Sequence, residues 1–181
     1  YKRSLDLETA MHKTSYMVDD AEFTTTTFCS FPGHVCVYHI DSTKPLPDIT
    51  AGFENTLVDL DTANASCSKR QARFTGVTQL GPPVGMKFDA IARVTGGKAR
   101  TSCGGGVLTI TPAKGAKSVT LVIGAGTDFD HTHGTAEHGY SFRGEDPAAL
   151  VERVTSAAAV KCYSDIVSEH LADYKALFGA F

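Results

Sequence analysis

The apolar residues of this sequence change period once, at Asp146-Pro147, and that change limits the fold more than any single motif does. Before it, short runs rich in β-branched residues are separated by Gly, Pro and Asp clusters, the pattern of strands joined by turns. After it, Leu150, Val151 and Val154 fall at helical spacing, with Asp146 suited to the N-cap and Pro147 to the first helical position. A break near Lys161–Ser164 precedes a second amphipathic stripe, Tyr163, Ile166, Val167, Leu171, Tyr174, Leu177 and Phe178, which should stop at Gly179. The expected fold is therefore mainly β: an antiparallel two-sheet β-sandwich followed by two C-terminal α-helices.

Individual stretches sharpen this. Leu5 and Leu7 alternate with Asp6 and Glu8 across Tyr1–Ala10, which predicts a half-buried antiparallel strand. Tyr16-Met17-Val18 reads as a second strand, Asp19-Asp20 as its turn, and Glu22–Phe28 as a third. His34–Ile40 carries apolar groups on both faces, and His39, in phase with Val35 and Val37, reads as a hydrogen-bonded interior histidine. Lys44-Pro45-Leu46-Pro47 leads into a hairpin expected up to Leu60. Thr62–Arg70 reads as an exposed polar loop, with Lys69, Arg70 and Arg73 as a solvated face. Phe74–Leu80 reads as a strand, Gly81-Pro82-Pro83 as a turn, and Phe88, Ala90, Ala92 and Val94 alternate with Asp89, Ile91 and Arg93. Gly104-Gly105-Gly106 lacks the Lys-Ser/Thr of a phosphate loop and predicts a tight hairpin or bulge.

Composition excludes several function classes. With 181 residues and 42% apolar residues the chain can bury a core. A net charge of −3 and no aromatic-interleaved basic cluster give no nucleic-acid surface, and no apolar run approaches the ~20 residues of a membrane span. Cys29, Cys36, Cys67, Cys103 and Cys162 contain no CxxC; five thiols leave at least one unpaired and do not reveal the pairing. Asn64-Ala65-Ser66 is an N-glycosylation acceptor that becomes relevant on secretion.

The candidate functional segment follows the predicted strand Val119–Ile123. Its loop opens Gly124-Ala125-Gly126 and then concentrates Asp128, Asp130, His131, His133, Glu137 and His138, side chains that a rigid strand end can hold out for binding. Phe129 replaces the third glycine of a dinucleotide fingerprint and no apolar-periodic helix follows at once, so that chemistry is excluded. His-x-His with carboxylates suits zinc-like ions, but no zincin motif accompanies it. The expectation is a plain polar loop with no metal, no cofactor and no catalytic residue, those six side chains being its candidates for binding. His170, at the edge of the second helical stripe, reads as a packed histidine rather than a base.

Taken together these stretches resemble the N-terminal β-domain of glycoside hydrolase family 95, the α-L-fucosidases. The resemblance rests on Tyr1–Ala10, Tyr16, Phe23-Thr24 through Phe28-Cys29-Ser30-Phe31-Pro32 and His34-Val35-Cys36-Val37. It continues in Gly126-Thr127-Asp128-Phe129, Gly144-Glu145-Asp146-Pro147 and His170–Phe178. It covers essentially the whole chain, with one departure: Thr25 stands where the family commonly has an arginine.

The resemblance implies a β-super-sandwich, a helical linker and an (α/α)6 barrel that hydrolyses terminal α-1,2-linked fucose with inversion, through carboxyl groups about 6.5–9.5 Å apart. Residues 1–145 would be the second part of the N-terminal super-sandwich and 146–181 the helical linker toward the barrel. The expected partners are that barrel, within the same polypeptide, and a fucosylated glycan bound through it. No nucleic acid or membrane partner is expected. The parent protein would be secreted, and this fragment inactive alone. A free-standing carbohydrate-binding module or lectin is the alternative, with Tyr16, Tyr38, Tyr140 and Phe142 as stacking residues; phosphorolytic relatives sharing the super-sandwich are a third.

Overall fold

The computed structural model describes residues 1–54, 63–78, 85–96 and 99–180. Among them, β1 (Lys2–Asp6), β2 (Met11–Val18), β3 (Ala21–Ser30), β4 (Val35–Ser42), β5 (Ile49–Ala51), β6 (Asn64–Ser68) and β7 (Gln71–Val77) come first. β8 (Lys87–Val94), β9 (Arg100–Gly104), β10 (Val107–Thr111), β11 (Ser118–Thr127), α1 (Pro147–Ala159) and α2 (Tyr163–Phe178) follow. An eight-stranded antiparallel sheet runs β1-β2-β3-β4-β11-β8-β7-β6, and a three-stranded one runs β5-β10-β9. The mainly β, two-sheet fold with two C-terminal helices is as the periodicity predicts. The hairpin end near Leu60 and the Gly81-Pro82-Pro83 turn lie outside the described residues.

The large sheet separates two cores because side chains alternate across it. On one face Met11, Phe28, Val35, Val37 and Val122 pack against Val154 and Ala158 of α1 and Ile166 of α2. On the other, Ile40, Ala72, Val94, Val119 and Leu121 meet Leu108 and Ile110 of β10, with Leu46 beside them. β4 and β11 thus bury both faces, which explains their continuous apolar runs. His39 sits in the helix-side layer, its Nδ1 2.6 Å from Thr120 Oγ1 and its Nε2 3.0 Å from Asp41 Oδ2, while Tyr163 stacks on its ring at 3.7 Å. His170 is buried as well and donates from Nε2 to the Thr9 carbonyl at 2.8 Å. Both histidines have the packed roles expected of them.

Helix and turn signals are realised locally. Asp146 caps α1, accepting from Ala148 N–H at 3.0 Å, with Pro147 in the first turn. Gly105 and Gly106 form the two-residue turn between β9 and β10 with φ of 57° and 79°, the left-handed pair that a type I′ hairpin needs. Gly124 and Gly126 have a packing role: a Cβ at Gly124 would lie 2.7 Å from Thr155 Cγ2, and one at Gly126 3.3 Å from Pro147 Cβ. The Gly-x-Gly pair therefore lets α1 seat directly on β11.

Four expectations are corrected. Leu5 and Leu7 are not half-buried: Leu5 stands on β1, an edge strand whose residues are all exposed, and Leu7 lies past its end in the turn to β2. The sequon stands on edge strand β6, paired with β7, and not in a loop. Arg73 is not on a free solvated face: its Nε donates to Asp89 Oδ1 at 3.0 Å, and Asp89 is only 3% exposed beneath α1. Arg70 bonds the carbonyls of Ala99 and Gly96, both at 2.7 Å. The far end of the second stripe, Leu177 and Phe178, also stays exposed.

Two disulfides staple this frame. Cys29–Cys36 joins directly opposed residues of β3 and β4, and Cys67–Cys103, 36 residues apart, ties edge strand β6 to β9 of the other sheet; Cys162 is free and exposed. Replacing Cys67 and Cys103 by Ala should lower the unfolding free energy by about 3–4 kcal/mol in urea titration, the loop-closure entropy of a span this long. Burial holds the His39 imidazole below its ordinary 6.5 against the opposing pull of Asp41. A histidine kept neutral on folding contributes stability that is complete above its unfolded value and lost as pH falls through it toward the folded value. Chemical denaturation should accordingly show stability declining below pH 6.5, and His39→Gln should flatten that slope.

Candidate functional site

β11 lies in the middle of the large sheet, and its C-terminal end at Thr127 releases the candidate loop beside the N-terminus of α1. The two legs of the loop are paired. Asp130 N–H bonds the Phe142 carbonyl at 2.9 Å and Gly144 N–H the Asp128 carbonyl at 2.6 Å, flanking a Phe129–Arg143 bridge. This is a closed Ω-type loop packed by its own side chains.

Asp128 forms the clasp. It is 5% exposed; Oδ1 accepts from Lys87 N–H at 2.8 Å and Oδ2 from Arg143 Nη1 at 2.7 Å. Arg143 also donates from Nη2 to the Gly85 carbonyl. With both oxygens engaged by its own scaffold, Asp128 holds the two legs of the loop together. Arg143 was not anticipated; it is the cationic residue of the loop, and only the antiparallel closure of the legs brings it to Asp128.

Asp130 is also spent on the loop. Its Oδ1 accepts from Thr132 N–H at 2.8 Å and Thr132 Oγ1 at 2.6 Å, capping the 3-10 turn His131–His133, and those bonds hold its carboxyl below the usual carboxylate range. His133 donates from Nδ1 to the Arg143 carbonyl and stacks on His138 with ring centroids 4.1 Å apart. His138 Nδ1 lies 3.0 Å from Thr135 Oγ1. His131 and Glu137 are exposed. Among the described residues no three His, Cys, Asp or Glu side chains gather as a metal centre would require.

The loop presents aromatic surface as well. Phe129 and Phe142 lie parallel with centroids 5.9 Å apart, and both are exposed, as is Tyr140 at 65%. Tyr140 and Phe142 hold φ of 53° and 54°, a region bulky side chains avoid at a cost of order 1–3 kcal/mol. What reaches solvent is therefore His131, Glu137, His138 and three aromatic rings on a fixed base. A separate recess of about 250 Å³ opens over His39 and Tyr163, lined also by Thr120 and Lys161. It sits at the start of β11, about 30 Å along the strand from the loop, and is no part of this site.

The match to known proteins follows the same frame. A family model described as glycosyl hydrolase family 65, N-terminal domain, matches residues 1–132. The chain belongs to that family. This glycosyl hydrolase N-terminal domain is 45% identical over 181 residues to "Probable alpha-fucosidase A" of Aspergillus oryzae, covering 100% of the chain and 25% of that protein. It is 34% identical over 182 residues to "Probable alpha-fucosidase A" of Aspergillus niger, covering 100% and 23%. Against "Alpha-L-fucosidase 2" of Arabidopsis thaliana it is 28% identical over 197 residues, covering 98% and 22%. The domain thus spans about a quarter of these relatives' length. A solved structure named "Putative kojibiose phosphorylase from human microbiome" shares the fold at TM-score 0.58 and 9% identity, over 95% of the domain and 24% of that chain. The fucosidase resemblance is borne out by the relatives, while the domain model carries the name of family 65.

Asp128→Ala removes the carboxylate that Arg143 Nη1 and the Lys87 amide share. It should cost about 2–3 kcal/mol and open the loop, read as faster limited proteolysis within Thr127–Arg143 with cleavage elsewhere unchanged.

Proposed function

We propose that this chain is the accessory N-terminal β-domain of a secreted glycosidase that hydrolyses terminal α-1,2-linked fucose with inversion, the catalytic carboxyl groups lying in a helical barrel outside this sequence. The observation that carries the reading is the end-to-end similarity to proteins named as fucosidases, of which this chain spans about a quarter. The chemistry of the domain agrees with it. Inverting hydrolysis needs two carboxyl groups facing each other across a sugar and a water, whereas in the loop Asp128 has both oxygens bound by Arg143 and Lys87 and Asp130 has one bound by Thr132. Residues 1–145 act as the body and residues 146–181 as the helical connection toward the barrel. The Cys29–Cys36 and Cys67–Cys103 disulfides favour an oxidising, extracellular location.

Within this reading the Thr127–Tyr140 segment faces the barrel or the mouth of its sugar site, through His131, Glu137 and His138. Fucose release by the full-length protein, with and without that segment, tests it. The deletion should change activity or substrate preference by about tenfold or more, the size of a lost positioning contact; unchanged kinetics remove the loop from the site.

A carbohydrate-binding module is the second reading, favoured by exposed Phe129, Tyr140 and Phe142. Glycan-array binding by this chain, abolished by Tyr140→Ala, would support it over the accessory role.

A further inference from the structure

The two edges of the eight-stranded sheet are defended unequally. An unpaired edge offers free N–H and C=O groups to any passing strand, and proteins blunt it with charge, proline or a cover. Edge strand β1 carries exposed Lys2, Arg3 and Asp6. The opposite edge, β6, is Asn64-Ala65-Ser66-Cys67-Ser68, with no charge and no proline, and four of its five residues are exposed.

That edge, uncharged and without a cover among the described residues, holds the acceptor sequence Asn64-Ala65-Ser66. Cys67 is bonded to Cys103 of the small sheet, and Ala65 lies against Gly106 there. Alternation then puts Asn64, Ser66 and Ser68 on the other face of the strand, where Asn64 is exposed. The Cys67–Cys103 bond ties the strand down from the face opposite Asn64.

We propose that Asn64 carries an N-linked oligosaccharide, and that this glycan guards the β6 edge against pairing with a second copy. The inference rests on the secretion reading above. In the step itself, the Asn64 carboxamide nitrogen bonds the anomeric carbon of a polyprenyl diphosphate-linked oligosaccharide. The C–O bond to diphosphate breaks, the lipid diphosphate leaves, and one amide proton passes to base. The donor belongs to the secretory pathway. A bulky hydrated chain on the exposed Asn64 excludes an incoming strand sterically, the work that charge does at β1.

The test uses the full-length protein expressed through a secretory host. Enzymatic deglycosylation in heavy-oxygen water, followed by peptide mapping, should convert Asn64 to labelled aspartate. Asn64→Gln and Ser66→Ala should both lose that mark and raise the share of dimers and larger species several-fold in light scattering, whereas Ser66→Thr keeps the mark and the wild-type distribution. Adding Ser68→Lys to Asn64→Gln restores an edge charge and should return the protein to monodispersity. This arm separates loss of a guard from loss of folding. A secreted protein with bare Asn64 overturns the site and leaves the secretion reading standing. A protein retained in the cytosol and unglycosylated overturns both. Occupancy without any change in association for Asn64→Gln and Ser66→Ala overturns the guarding role.

Discussion

Burial of β11 on both faces is the constraint from which the remaining architecture follows. Val122 points into the helix-side core and Val119 and Leu121 into the sheet-side core, so the strand has no free face and cannot shift register without exposing one set or burying the other wrongly. Gly124 and Gly126 extend that logic to the strand end. Without side chains there, Thr155, Val154 and Val151 of α1 come down onto the backbone, and the helix start at Pro147 is fixed relative to the strand end at Thr127. The loop between those two points starts and finishes on immobile ground.

The loop then spends most of its polar groups on itself. Asp128 and Arg143 close its base, Asp130 caps its first turn, and His133 bonds the returning backbone. Self-satisfaction of this kind fits a part that presents surface and does not fit a part that performs bond cleavage, since a general acid or base must have its working atom turned toward substrate. What remains outward is a flat aromatic pair, Tyr140, two histidines and Glu137, a surface of the mixed apolar and hydrogen-bonding kind that either a sugar or a neighbouring domain can use.

Much of this was legible from residue order because the signals are local. Asp146-Pro147 announces a helix start by capping chemistry alone, and Gly105-Gly106 announces a hairpin by the sign of φ it permits. The roles of His39 and His170 followed from their phase within apolar stripes. The misreadings share a different cause. Leu5 and Leu7 alternate as a buried strand would, but alternation gives a face and not its cover, and nothing among the described residues covers that edge. Asn64–Ser68 has the small polar composition of a loop and becomes a strand through pairing with β7 and the bond to Cys103. Arg73 with Asp89, and Asp128 with Arg143, look like surface charges in sequence. Only the diagonal neighbourhood of β7 and β8 and the closure of the loop turn them into partly buried ion pairs.

The central claim is that this domain supports chemistry performed by other polypeptide. The most direct measurement is fucose release from an α-1,2-fucosylated oligosaccharide by the purified 181-residue chain, shown by circular dichroism to be folded and assayed beside the full-length protein. The account predicts turnover by the full-length protein alone. Release of fucose by the isolated domain would contradict it.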